Sequence, residues 1–264
     1  MAKAKFKSEK ARLVAAFDAS GKEDQRCLVV AGFISRSSDW QTFHTEWIKR
    51  LQEDNLEYFH MVDFAASQDQ FAGWRNDEPR RRKLLGDLMG IIKSHAYRKI
   101  GCVIENDEFY RLAEPNQKEF SLNAYTLAAR TCVADVSNWK KREGLSHVPT
   151  GYVFEEGDDG KGMLIKRMQE DGYSLPYFLP KKDRTGPDGD VIGAYTPLQA
   201  ADLLAYEIAK PYKDVLEGKP QPDRFRWAFE ELLTIPGELG YYSPKNLKDL
   251  NDRFDELRVR FKSW

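Results

Sequence analysis

Apolar residues run unbroken through Leu13-Val14-Ala15-Ala16-Phe17 and stop at Asp18. A polar turn, Ser20-Gly21-Lys22-Glu23-Asp24-Gln25, leads into a second run, Leu28-Val29-Val30-Ala31-Gly32-Phe33. Two such runs separated by turn residues predict a hairpin. The period then changes. Trp40, Phe43, Trp47, Ile48 and Leu51 recur at helical spacing, with Glu46, Lys49, Arg50 and Glu53 between them and Ser37, Ser38 or Asp39 available as a cap. Tyr58 to Phe64 is less regular, and a Gln-rich segment follows to Trp74.

Pro79 suits the first turn of a helix whose apolar side is Leu84, Leu85, Leu88, Met89, Ile91 and Ile92. Arg98 to Ile104 reads as a short strand, Phe120 to Trp139 as a long helix, and Tyr152-Val153-Phe154 as a strand entering Glu155-Glu156-Gly157-Asp158-Asp159. A helix over Lys161 to Glu170, an apolar stretch from Leu175 to Leu179 and a Gly- and Asp-rich loop over Lys181 to Asp190 come next. Thr196-Pro197-Leu198-Gln199 has the form of a capping box with proline at the first helical position, and the helix it opens can run to about Lys210. Two more helical patterns, Arg224 to Leu233 and Leu247 to Phe261, flank Pro236-Gly237.

Strands interspersed with helices imply an α/β domain, a mixed sheet covered by helices. The expected boundaries are 8–212 for this domain and 213–264 for a C-terminal helical extension packed on it.

Composition changes this picture little. The chain of 264 residues, 41% hydrophobic and 31% charged, is long enough to bury a core. A formal net charge of −1 removes any global electrostatic case for nucleic acid, so such a surface must be a local patch. Cys27, Cys102 and Cys132 have no metal-ligand or redox spacing and read as buried reduced thiols. The basic start is a poor signal peptide, and no run approaches a membrane helix, so a cytoplasmic protein with no membrane partner is expected.

The candidate chemistry is acidic. Asp18 ends a buried strand, where an isolated carboxylate is costly. Leu198, Ala201, Asp202, Ala205, Tyr206 and Ala209 share one helix face, and the alanines would let Asp202 approach a sheet closely. A bland role for Asp202 is to cap a neighbouring element or pair with a lysine. Glu155 and Glu156 point to opposite faces while the strand persists, so one of them can join a site. Asp158 and Asp159 can instead cap the following helix. Three carboxylate sources suit Mg²⁺ or Mn²⁺, hard ions that take oxygen ligands. No GxxxxGK[ST] loop, no GxGxxG after a strand and no GxSxG elbow is present.

Phe17-Asp18-Ala19-Ser20-Gly21 with Val29-Val30-Ala31-Gly32 resembles the opening of the domain-of-unknown-function 3800 family. Phe59-His60 with Asp63-Phe64, Phe154-Glu155-Glu156-Gly157-Asp158, and Pro197-Leu198-Gln199-Ala200-Ala201-Asp202-Leu203-Leu204-Ala205 extend the resemblance over roughly residues 12 to 210. It implies a ribonuclease H-like fold, in which acidic residues on the first strand, the fourth strand and a later helix bind Mg²⁺ or Mn²⁺ for nucleic acid hydrolysis. Carried over, these are Asp18, Glu155 and Asp202, with Glu156 and Asp158 as further candidates.

His60 and Asp63, at i and i+3, could supply a general acid or base, or pack as structural groups. Among the basic runs, Lys181 and Lys182 are placed to neutralise a phosphate near the acids, while Arg80-Arg81-Arg82-Lys83 and Lys140-Lys141-Arg142 suit solvated faces. Trp74 and Trp139 are possible stacking surfaces. Leu247, Leu250, Phe254, Leu257 and Phe261 could pair copies of the chain. The expected function is a metal-dependent nuclease acting on nucleic acid. The alternatives are a non-catalytic ribonuclease H-like binding or scaffold protein of a defence or mobile-element system, and a phosphatase using the same carboxylates.

Overall fold

Strand β1 (Leu13–Ser20) and strand β2 (Cys27–Arg36) form the predicted hairpin, antiparallel in register from Leu13 opposite Arg36 to Ser20 opposite Val29. Gly21 turns the chain at φ +93°, where a side chain would lie 2.3 Å from the Cys27 carbonyl oxygen. The computed structural model describes residues 12–21, 25–117, 122–157, 160–219 and 226–252.

After β2 come α1 (Ser37–Gln52), α2 (Met61–Ala66), a 3-10 turn (Asp69–Trp74) and α3 (Glu78–His95). Strand β3 (Arg98–Glu105) pairs antiparallel with β2 and leads into α4 (Asn106–Gln117) and α5 (Ala124–Arg142). Strand β4 (Thr150–Glu155) then pairs parallel with β1, α6 (Lys161–Glu170) follows, and β5 (Tyr177–Leu179) pairs parallel with β4. A small hairpin, β6 (Arg184–Thr185) and β7 (Val191–Ile192), lies within the predicted loop. The chain continues with α7 (Pro197–Leu216), α8 (Trp227–Leu233) and β8 (Gly237–Tyr242).

The result is a mixed six-stranded sheet of order β5-β4-β1-β2-β3-β8. Side-chain alternation divides it into two faces. Val14, Ala16, Val29, Ala31, Phe33 and Val153 pack on one side with α1, α2, α3, α7 and α8. Leu13, Ala15, Phe17, Val30, Cys102 and Phe154 pack on the other with α5 and α6. All three cysteines are buried free thiols, as expected. Among the described residues, no helix is long and apolar enough to cross a membrane.

Close packing around β1 leaves little room. A Cβ on Gly32 would stand 1.8 Å from the Ala16 carbonyl oxygen. Gly32→Ala is therefore expected to lower stability by about 1–3 kcal/mol, an overpacking cost, read as an earlier urea midpoint at unchanged slope.

The C-terminal region departs from expectation. Helix α7 runs through the anticipated boundary at residue 212 and past Pro211 to Leu216. The extension is not wholly helical, because β8 joins the main sheet parallel to β3. Lys99 N donates to Pro236 O at 2.8 Å, and a Cβ on Gly237 would collide with Lys99 O, so glycine lets the chain settle against β3. Leu247 is fully buried on the α5 side and Leu250 packs beside it, so both are used within the chain. Phe254, Leu257 and Phe261 lie outside the described residues.

Candidate active site

Asp18 lies on β1 in phase with Val14 and Ala16, so alternation aims its carboxylate at the α7 face. Glu155 follows Val153 by two residues on β4 and takes the same face. The parallel register pairs Phe17 with Phe154, and their rings stack at 5.3 Å on the opposite side of the sheet. Two neighbouring strands thus each place a phenylalanine under α5 and the next residue, an acid, toward α7.

Helix α7 brings the third acid. Asp202 is buried among Leu198, Ala201 and Ala205, on the stripe the sequence predicts. Gly101 helps the helix approach the sheet, since a Cβ there would lie 3.1 Å from Ala31 Cβ and 3.3 Å from Ile208 Cδ1.

The three carboxylates converge on Lys181. Its Nζ stands 3.0 Å from Asp18 Oδ2, 2.9 Å from Glu155 Oε2 and 3.1 Å from Asp202 Oδ1. The Asp18 side chain has no exposure, and its second oxygen accepts from Ala19 N at 2.8 Å. Asp202 Oδ2 accepts from Met61 N at 2.6 Å, at the start of α2. Both bland roles foreseen for Asp202, capping and pairing with a lysine, are realised at this one side chain. Among the described residues, no three His, Cys, Asp or Glu side chains stand ready to hold a metal ion; these acids surround an ammonium instead.

Charge follows from this arrangement. Burial pushes the Asp18 pKa well above its usual 3.8; Lys181 opposes that rise, and Asp202 and Glu155 add to it. For Lys181, burial works to lower the pKa, but the three acids outweigh it and hold the ammonium above the ordinary lysine value. With all three acids ionised, the cluster keeps two negative charges in excess.

The structure separates the remaining candidates. Glu156 turns away from the centre and pairs with Arg184 at 2.5 Å, while its backbone N donates to Leu179 O. His60 Nδ1 meets Asp63 Oδ2 at 2.8 Å, and its Nε2 stands 3.8 Å from Asp202 Oδ1. Asp63 therefore orients the histidine that borders the acids. Lys182 points outward, its ammonium 5.2 Å from the Tyr58 ring centroid. Asp158 lies outside the described residues. Trp74 and Trp139 are only 4% and 6% exposed, too buried for the stacking role considered for them. Arg80, Arg82 and Lys83 are taken up by Asp54, Glu78 and Asp87, as a solvated helix face would be.

Gln199 has a larger role than the sequence suggests. It makes no capping box with Thr196, whose side chain caps nothing and instead meets His44 at 3.1 Å. Gln199 is fully buried. Its Oε1 accepts from Trp47 Nε1 at 2.7 Å and Phe59 N at 2.9 Å, and its Nε2 donates to Lys181 O at 2.6 Å. One amide thus ties α1, the segment bearing His60 and the loop bearing Lys181 to the helix that carries Asp202. Its one available signal was its place one turn before Asp202.

No family model, no curated protein and no solved structure matches the chain.

Proposed function

We propose that the protein is a metal-dependent phosphodiesterase that hydrolyses nucleic acid, with Asp18, Glu155 and Asp202 as its metal ligands and a ribonuclease H-like sheet as its frame. The observation that carries this reading is the meeting of three carboxylates, from β1, β4 and α7, at one point occupied by a cation. The acids stand on the first strand, the fourth strand and a later helix, the distribution that the family resemblance implies.

The donor set fits the group. All the donors are hard carboxylate oxygens, and the position already accepts a cation touching all three. A bound Mg²⁺ or Mn²⁺ would supply Lewis acidity toward a phosphodiester and favour ionisation of water. The chain's own residues do the rest. Ala19 N and Met61 N fix two of the carboxylates in direction. Asp63 holds His60 beside Asp202, where the imidazole can accept or donate a proton. Lys182, next to Lys181, gives the site a cation toward which a polyanion can dock.

One observation favours a second reading. Lys181 already neutralises part of the centre, as it would in a closed ion cluster inside a non-catalytic binding or scaffold module.

Mn²⁺ calorimetry, paired with cleavage assays on labelled single- and double-stranded DNA and RNA, separates the two. The native chain is expected to bind Mn²⁺ and to cleave at least one substrate. Glu155→Gln should weaken binding by more than the roughly 10–100-fold that altering a ligand's outer hydrogen-bond partner costs, whereas Glu156→Gln should change it less than twofold. No Mn²⁺ uptake by the native chain would favour the scaffold.

A further inference from the structure

We infer that Lys181 is the site's resident cation and leaves its place when a divalent ion enters, so that this side chain sets how readily the site loads. The inference rests on the metal-dependent reading above. The ammonium touches one oxygen of each acid at 2.9–3.1 Å, which puts it where a metal shared by the same three carboxylates must sit. Two cations cannot hold that position together, because like charges a few ångströms apart repel strongly in a dry site.

The structure also indicates which part of the lysine moves. Its backbone is pinned, with Lys181 O accepting from buried Gln199 Nε2 and the adjoining Pro180 O accepting from Tyr195 N at 2.9 Å. Movement is therefore left to the flexible four-carbon stem, which carries several rotatable bonds. The side chain is 14% exposed, so part of it already meets solvent although its ammonium lies among the acids. Its neighbours mark the way: Lys182 lies outward over Tyr58, and Arg184 outward on Glu156. A lysine held only for stability would instead stay locked among the acids whether or not metal is offered.

The test is Mn²⁺ calorimetry and thermal melting of the full chain, native and Lys181→Met. The metal-free variant should melt lower than the native chain, since three acids then face one another, and Mn²⁺ should raise its melting temperature more. Its Mn²⁺ dissociation constant should be tighter by about tenfold or more, because a competing cation has been removed. Equal or weaker Mn²⁺ binding by a folded Lys181→Met protein overturns the inference and leaves the metal reading standing. Absence of binding in both proteins overturns both.

A second measurement needs no variant. In the native chain, labelling of lysine amines by an activated ester, read by mass spectrometry, should modify Lys181 slowly without metal and faster with saturating Mn²⁺, with Lys182 as the internal control. Unchanged protection of Lys181 while Mn²⁺ is bound overturns the proposal.

Discussion

Asp18→Asn protein is expected to melt at a higher temperature than the native chain at neutral pH, while its Mn²⁺ binding and Mn²⁺-stimulated phosphodiester cleavage fall steeply. The gain follows from where Asp18 lies. Its carboxylate has no exposure, and burial together with Asp202 and Glu155 raises its pKa despite Lys181. Ionised Asp18 therefore opposes folding relative to its neutral form. An asparagine keeps the acceptor for Ala19 N and carries no charge, and Lys181 retains Glu155 and Asp202. Relief of roughly 1 kcal/mol would raise the melting temperature by about 2–4 °C for a chain of this size.

The pH dependence has a definite sign. With the folded pKa raised, the folded chain holds this proton to higher pH than the unfolded chain does. The stability linked to it is full below the ordinary value of 3.8 and is lost as pH rises through the folded value. Asparagine has no such proton. The difference in melting temperature, variant minus native, should grow as pH rises from about 4 and then level off. On function, removal of one ligand carboxylate is expected to cost on the order of 10²–10³ in rate, comparable to deleting one preorganised electrostatic group. Cleavage unchanged by the substitution sinks the metal assignment, and a lower melting temperature at neutral pH sinks the electrostatic account of Asp18.

Gln199→Leu is expected to give the largest loss of stability among the substitutions considered. Leucine fills much of the volume but strands the buried Trp47 indole N–H and Phe59 N–H and the part-buried Lys181 carbonyl. At about 1–3 kcal/mol for each orphaned group, with some relaxation, the total is roughly 3–6 kcal/mol. Urea unfolding of the two proteins, compared at equal slope, measures it. Gln199→Glu provides the control: it keeps an acceptor for Trp47 and Phe59 but turns an oxygen toward Lys181 O, so its cost should come from that side of the hub. A Gln199→Leu protein as stable as the native chain would show that the hub contributes little.

Much of the local architecture was legible because local rules decide it. The β1–β2 hairpin follows from two apolar runs and a turn at Gly21, and α6 runs over the predicted residues Lys161–Glu170. The choice between Glu155 and Glu156 was half legible. Alternation says that only one can face a site, but which one depends on the face that β4 turns toward α7, and β4 acquires that orientation by pairing with β1. Strand β8 was hidden for a related reason. Gly237-Glu238-Leu239-Gly240-Tyr241-Tyr242 has weak strand character of its own, and its pairing partner, β3, lies well over a hundred residues earlier.

The sequence by itself determined that acids follow apolar strand runs and ride an alanine-lined helix, because periodicity sets Asp18, one of Glu155 and Glu156, and Asp202 beside apolar residues. Only the tertiary structure decided what compensates them. Lys181 and Gln199 read in sequence as one basic residue in a polar loop and one half of a helix cap. Their roles arise from polar groups that must each find a partner, and those partners come from β1, β4, α7, α1, the segment before α2 and the loop after β5.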